Sequence, residues 1–245
     1  MARSHHRRIA MRYVTKADFI KLARECARDE GGKLPPAMES LLRQGYDYPK
    51  LLNKKRKIEL SKSLRTVDIE TYLRAFVHGY LKARAKQALF SEPKTTPDSA
   101  LDLLMERFGN VAHSSLRKAS RLHRLSMAAE NMLGHLLEAY LAGILESRGW
   151  LWCCGNIVRA VDFYKPGIPI QLLQVKNRSN SENAASAAIR GFIRDRIPVA
   201  ITKWHRIRAK GGRTCWEELP GNEGKQIADE RRFLEFIRGY ADGRS

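Results

Sequence analysis

Asp162, Gln174 and Lys176 are the residues whose types and spacing first point to chemistry. Asp162 closes a short strand-like stretch, 157–163, and eleven residues separate it from Gln174. The stretch 168–175 is strongly apolar and ends by presenting an amide and a lysine at positions i and i+2. Residues two apart in a strand project to the same face, so Gln174 and Lys176 stand together. A carboxylate and an amide oxygen hold a hard divalent cation, and a neighbouring ammonium orients a water for attack on a phosphate. On a strongly basic chain that set points to metal-dependent phosphodiester cleavage. Each residue alone has a plainer reading, as a strand-ending aspartate or a solvent-facing pair; the joint spacing carries the argument.

These side chains need elements to position them. Helical patterns run from Thr15, a variant of the capping box with Asp18, to about Asp29, and from Pro35-Pro36 through Leu42. A third spans 67–89, with Ile69, Leu73, Phe76, Val77, Tyr80 and Leu81 at helical spacing. The stretch 91–97, with two prolines, reads as a linker, and 98–108 as a further helix stopped by Gly109. From about Leu116 the character changes. Ser126 is placed to cap a helix running to Ser147; then 150–158, 161–163 and 168–175 read as strands, 184–195 as a helix, 198–202 as a buried strand and 229–240 as a closing amphipathic helix. That order predicts an α/β fold with a mixed β-sheet flanked by helices, preceded by a helical N-terminal region. The expected division is 1–110, a helical region suited to DNA contact or dimerisation, and 111–245, the catalytic domain.

Within the helix opened at Ser126, Glu130 is the odd residue. At ~100° per residue it shares its face with Leu133, Leu137, Leu141 and Ile144, while Glu138 falls near the edge of that stripe. A carboxylate facing a core needs a cation or hydrogen bonds, so Glu130 is expected to complete a metal site with Asp162 and Gln174. The competing reading leaves Glu130 at the helix N-terminus, favoured by the dipole and reached by water.

The run after Lys176, Asn177-Arg178-Ser179-Asn180-Ser181-Glu182-Asn183, is rich in amides and hydroxyls, and Arg190 follows it. Such side chains match base edges and phosphate oxygens. The alternative is an ordinary polar loop with Ser181 or Asn183 capping the next helix. Lys203-Trp204-His205-Arg206, with Arg208, mixes cations with a planar ring and suits phosphate or base contacts. His205 reads as a groove contact or a solvated histidine ahead of a general base.

Composition narrows the partner. The chain of 245 residues carries a net charge of +19, with a pI near 10.1, and charged runs at 54–57 and 203–213. Such an excess repels itself, and a polyanion relieves it by releasing counterions. Nucleic acid is therefore the expected partner, ahead of a membrane surface. No apolar run reaches the roughly 18 to 20 residues that span a bilayer, and the basic start with His5 and His6 lacks the apolar segment of a secretory signal. The four cysteines show no CxxC spacing and read as reduced thiols in a cytoplasmic protein without structural zinc.

With those residues in view, a family resemblance appears. Ser126-Met-Ala-Ala-Glu130-Asn, Gly134, Leu136-Leu-Glu138, Gly149-Trp-Leu-Trp-Cys-Cys, Ala160-Val-Asp162-Phe, the run from Leu173 to Asn183, and Lys203-Trp204 resemble the SinI-type restriction endonucleases, of the PD-(D/E)XK nuclease superfamily. The resemblance covers roughly 126–216 and implies a PD-(D/E)XK restriction-endonuclease-like core. It implies a type II enzyme that makes Mg²⁺-dependent double-strand cuts at a short site in double-stranded DNA, leaving 5′-phosphates. By that likeness Asp162, Gln174 and Glu130 ligate Mg²⁺ and Lys176 assists the attacking water. It further suggests a GGWCC-like target, a homodimer for a palindromic site, and a cognate DNA methyltransferase as companion. Val161 stands where the superfamily usually has proline, and Gln174 replaces the common acid, which weakens the case for a second metal. The alternatives are a non-catalytic basic nucleic-acid-binding protein, or a nuclease of this superfamily acting in DNA repair or RNA processing.

Overall fold

The computed structural model describes residues 14–52, 66–178, 191, 197–208, 210–221 and 227–243. Among these the chain forms six α-helices and one four-stranded sheet: α1 (Lys16–Asp29), α2 (Pro36–Asp47), α3 (Thr66–Ala85), α4 (Ser99–Arg107), α5 (Leu116–Leu145), β1 (Leu151–Trp152), β2 (Phe163–Lys165), β3 (Ile170–Arg178), β4 (Val199–Ile207) and α6 (Glu230–Ala241). The α/β class with a mixed sheet is as the sequence predicts. The helix expected at 184–195 and the basic run at 54–57 lie outside the described residues.

Local signals account for most helix starts. Thr15 Oγ1 accepts from the Asp18 amide at 3.2 Å, and Asp98 and Asp229 cap α4 and α6 through their carboxylates. The expected start of α5 at Ser126 is not where the helix begins. It begins at Leu116, after a single turn of tighter helix at His113–Ser115. Ser126 has good helix formers on both sides, and a serine is a weak stop signal unless the chain has another place to go.

The sheet order is β1-β2-β3-β4, with antiparallel pairs on the β1 and β2 side and a parallel pair between β3 and β4. The strand expected over 150–158 is cut short after Trp152, because the chain turns at 154–156 with Gly155 at φ +72° and Asn156 at φ +54°. Gly155 also lies against α3: a Cβ there would sit 2.8 Å from the Gly79 carbonyl oxygen. Only glycine meets both demands. The N-terminal helices thus dock directly on the strands. One buried cluster runs from Phe19 and Ile20 of α1 and Phe76 of α3, through Leu137, Leu141 and Leu145 of α5, to Phe163, Tyr164, Leu172 and Leu173. No helix among the described residues is long and apolar enough to cross a membrane.

The four cysteines are free and buried. Burial pushes the Cys154 thiol up to about 12 and holds Cys26 and Cys153 above the usual range, so thiolate is scarce at neutral pH. At pH 8 the folded protein should react with none of its thiols on the timescale of a small-molecule disulfide reagent, and with all four once unfolded in guanidinium. Fast labelling of the folded chain would contradict this packing.

Candidate active site

Asp162 sits one residue before β2 and is locked to the central strand. Its backbone amide donates to the Leu173 carbonyl at 2.9 Å, and its carbonyl accepts from the Cys153 amide at 2.7 Å. Its side-chain Oδ2 accepts from the Val175 amide, also at 2.7 Å. The residue that leads into it, Ala160, has φ +55°, a left-handed conformation that an L-residue adopts at a cost of about 1 to 2 kcal/mol. That strain sits two residues from a chemical group, where a fold commonly keeps it.

Gln174 and Lys176 lie on one face of β3, as the spacing predicts. Parallel pairing sets Lys203 beside Gln174 and His205 beside Lys176 on that same face. Gln174 is 5% exposed, and its Oε1 has no hydrogen-bond donor among the described residues. A buried amide oxygen without a donor costs about 1 to 3 kcal/mol unless something positive reaches it. Lys176, by contrast, is exposed. His205 Nε2 is likewise buried and unpaired, and burial, followed by the Lys203 and Lys176 charges, lowers the His205 pKa. The imidazole is therefore neutral at pH 7.

The acid that the fold brings to this face is Glu138. Its Oε2 accepts from the Trp152 indole at 2.9 Å. Burial raises its pKa, while the Trp152 hydrogen bond and the Lys176 charge pull it back down. Glu138 and Asp162 both act on the Cys153 thiol, which places the two carboxylates around the end of β1. Glu130 is exposed instead. The helical stripe drawn from the sequence is real, but burial along α5 starts only near Leu136, apart from Leu116 and Ala128. Glu130 stands on the right line and two turns too early. The signal that could have found Glu138 is Trp152, whose indole N–H needs an acceptor once the ring is buried.

Several expected DNA contacts are placed in the interior. Trp204 is 2% exposed and donates its indole N–H to the Cys215 carbonyl at 2.8 Å. Arg206 is 7% exposed, donates Nε to Asn177 Oδ1 at 2.9 Å, pairs with Glu230, and lies over the Phe233 ring at 5.4 Å. Glu230 also accepts from the Trp216 indole at 2.8 Å. The reason is register: Asn177, Trp204 and Arg206 face away from Gln174 and Lys176, toward α6. Arg178, Lys203 and Arg208 remain at the surface or partly so, with Arg208 paired to Glu218. Ser179, Asn180, Ser181, Glu182, Asn183 and Arg190 lie outside the described residues.

The SinI restriction endonuclease family matches residues 37–243. This chain belongs to that family. It is 32% identical over 233 residues to the type II restriction enzyme Eco47I of Escherichia coli, covering 92% of this chain and 96% of that protein. It is 31% identical over 229 residues to the type II restriction enzyme SinI of Salmonella infantis, covering 91% and 95%. The enzyme class expected from the sequence, a site-specific deoxyribonuclease of type II, therefore stands, and its substrate is DNA. Enzymes of this type use divalent metal ions, and oxygen donors suited to one are present: the Asp162 carboxylate held by the Val175 amide, the Glu138 carboxylate that with Asp162 acts on the Cys153 thiol, and the buried, unpaired Gln174 Oε1. Among the described residues no three His, Cys, Asp or Glu side chains gather into a metal cluster.

In this SinI-family chain, Arg206→Ala should cost about 1 to 3 kcal/mol in urea unfolding, because it leaves Asn177 Oδ1 without its donor and removes the buried half of the pair with Glu230. Arg208→Ala, with an exposed pair, should cost under about 1 kcal/mol. Equal effects would contradict the inward placement of Arg206.

Proposed function

We propose that this chain cuts both strands of DNA at a short specific site by Mg²⁺-dependent hydrolysis, leaving 5′-phosphates, with Asp162, Gln174, Glu138 and Lys176 as the working residues. The observation that carries this reading is the unpaired, buried Oε1 of Gln174, on the strand whose next backbone amide holds the Asp162 carboxylate, acceptors suited to a hard cation. When bound, the ion supplies positive charge to the scissile phosphate and eases deprotonation of water. Asp162, fixed by the Val175 amide, and Gln174 present oxygens from adjacent strands. Glu138, held by the Trp152 indole, takes the part first expected of Glu130. Lys176 directs its ammonium at the incoming water and steadies the charge that builds on phosphate oxygen. The new O–P bond forms as the P–O3′ bond breaks; the attacking water gives up a proton to solvent, and the 3′-oxygen takes one from it. Two carboxylates and a neutral amide balance one divalent charge, so a single ion per chain is the expected stoichiometry.

One such site per chain cuts one strand, so a twofold homodimer on a palindromic target supplies the second cut. The family likeness supports a GGWCC-like site and a methyltransferase that protects it. The region 1–110, whose α2 meets Tyr164 and whose α3 meets Gly155, is proposed for dimer or DNA contacts.

With Mg²⁺ the purified protein should turn plasmid DNA into discrete bands whose mapped ends give site and stagger, and EDTA should stop it; a smear would exclude a specific endonuclease. Asp162→Ala and Lys176→Ala should each lower cleavage by at least about a hundredfold with the fold intact. Glu138→Gln should impair cleavage more than Glu130→Gln, and the opposite order would remove Glu138 from the site. Titration calorimetry should count one Mg²⁺ per chain, with Gln174→Glu binding it more tightly.

A further inference from the structure

The N-terminal half of α5 carries a feature that cleavage at the site does not use. Arg117, Arg121 and Arg124 recur at helical spacing and, at ~100° per residue, occupy one flank within roughly 60°. Lys118 lies about 90° round from its centre, off the stripe. Arg117, Lys118 and Arg121 are exposed, with no ion-pair partner among the described residues. Among the described residues Arg124 has one ion pair, with Glu92 at 3.4 Å. Arg117 and Arg124 line a cleft of about 560 Å³ between α5 and the segment leading into α4. The acids across it are Asp98 and Asp102, and Asp98 is already committed to capping α4, accepting from the Ala100 amide at 3.0 Å.

The same helix runs unbroken to Glu138. On the helical wheel Glu138 falls about 70° from the centre of the arginine stripe, so both face the same side of the rod. At 1.5 Å per residue, Arg124 and Arg117 stand roughly 21 and 32 Å from Glu138 along the axis. Duplex DNA rises about 3.4 Å per base pair, so these distances correspond to about 6 to 9 base pairs.

We infer that the Arg117–Arg121–Arg124 stripe grips the phosphate backbone of a duplex lying along α5, about 6 to 9 base pairs beyond the bond being cut. The inference rests on the nuclease reading above. Guanidinium groups at this spacing read no sequence; they fix register and add affinity. A second copy of the chain is a poorer occupant, since two such stripes on molecules of net charge +19 would repel.

The test compares full-length wild type with Arg117→Gln/Arg121→Gln/Arg124→Gln on duplexes of about 12 and about 40 base pairs centred on the mapped site. Wild type should bind the longer duplex at least about tenfold more tightly, and the triple variant should lose most of that preference. Its salt dependence on the longer duplex should flatten by up to about 2.7 logarithmic units, near 0.9 per phosphate contact. Single-turnover cleavage at saturating protein should match wild type, and the corresponding triple lysine variant should restore affinity. Equal length preference in wild type and the glutamine variant would overturn the proposal. So would a glutamine variant whose main change is a lower assembly mass by sedimentation, which would assign the stripe to a second copy. Binding is also read without metal, so a wild type that fails to cut any duplex refutes the nuclease reading while the length comparison still decides this one.

Discussion

The carboxylate of Asp162 is held by a backbone amide of the central strand, and most of the site depends on that bond. Val175 donates to Oδ2 at 2.7 Å from the residue between Gln174 and Lys176. Because the three side chains share one stretch of β3 backbone as reference, their relative positions follow sheet geometry more than loop conformation. The same strand pairs with β2 on one side and β4 on the other, so shifting β3 by one residue would send Gln174 and Lys176 to the opposite face and break the Asp162 contact together. Register is the constraint under which the chemistry exists.

The two faces of β3 and β4 divide the labour. One face gathers Gln174, Lys176, Lys203 and His205. The other gathers Asn177, Trp204 and Arg206 against α6, with Glu230 accepting from both Arg206 and the Trp216 indole. Arginine stays buried there because its charge is paired, its Nε is satisfied by Asn177 and its plane covers Phe233. These polar groups fasten α6 to the sheet, and a strand rich in cations can therefore carry structure and chemistry in alternate positions.

How much of this was legible in the sequence varied with the range of the interaction. The Thr15 cap, the apolar faces of α1 and α3 and the i, i+2 pair on β3 are local, and periodicity finds them. Glu130, expected on a buried face, is exposed because the wheel gives direction around a helix but not the point along it where the sheet begins to cover it. Trp204 and Arg206 looked like ligand-binding residues because composition cannot tell which strand face a cation takes; that needs the register with β3. The length of α5 was hidden by Ser126, a residue that caps helices well and also rides within them at little cost. The matches over most of the chain settle the family, while the detailed site rests on geometry.

Gln174 carries a consequence for how the protein is made. Three ionised acids crowded against a buried sheet face would repel one another until an ion arrived, and such sites tie folding to metal loading. Here an uncharged amide stands in the third place, and burial already pushes Glu138 toward its protonated form. The ion-free polypeptide therefore meets little electrostatic opposition to closing its core. On the proposed reading, synthesis and arming become separate events: the chain can complete its architecture in an ion-poor state, and a cation that arrives later finds its donors already in place.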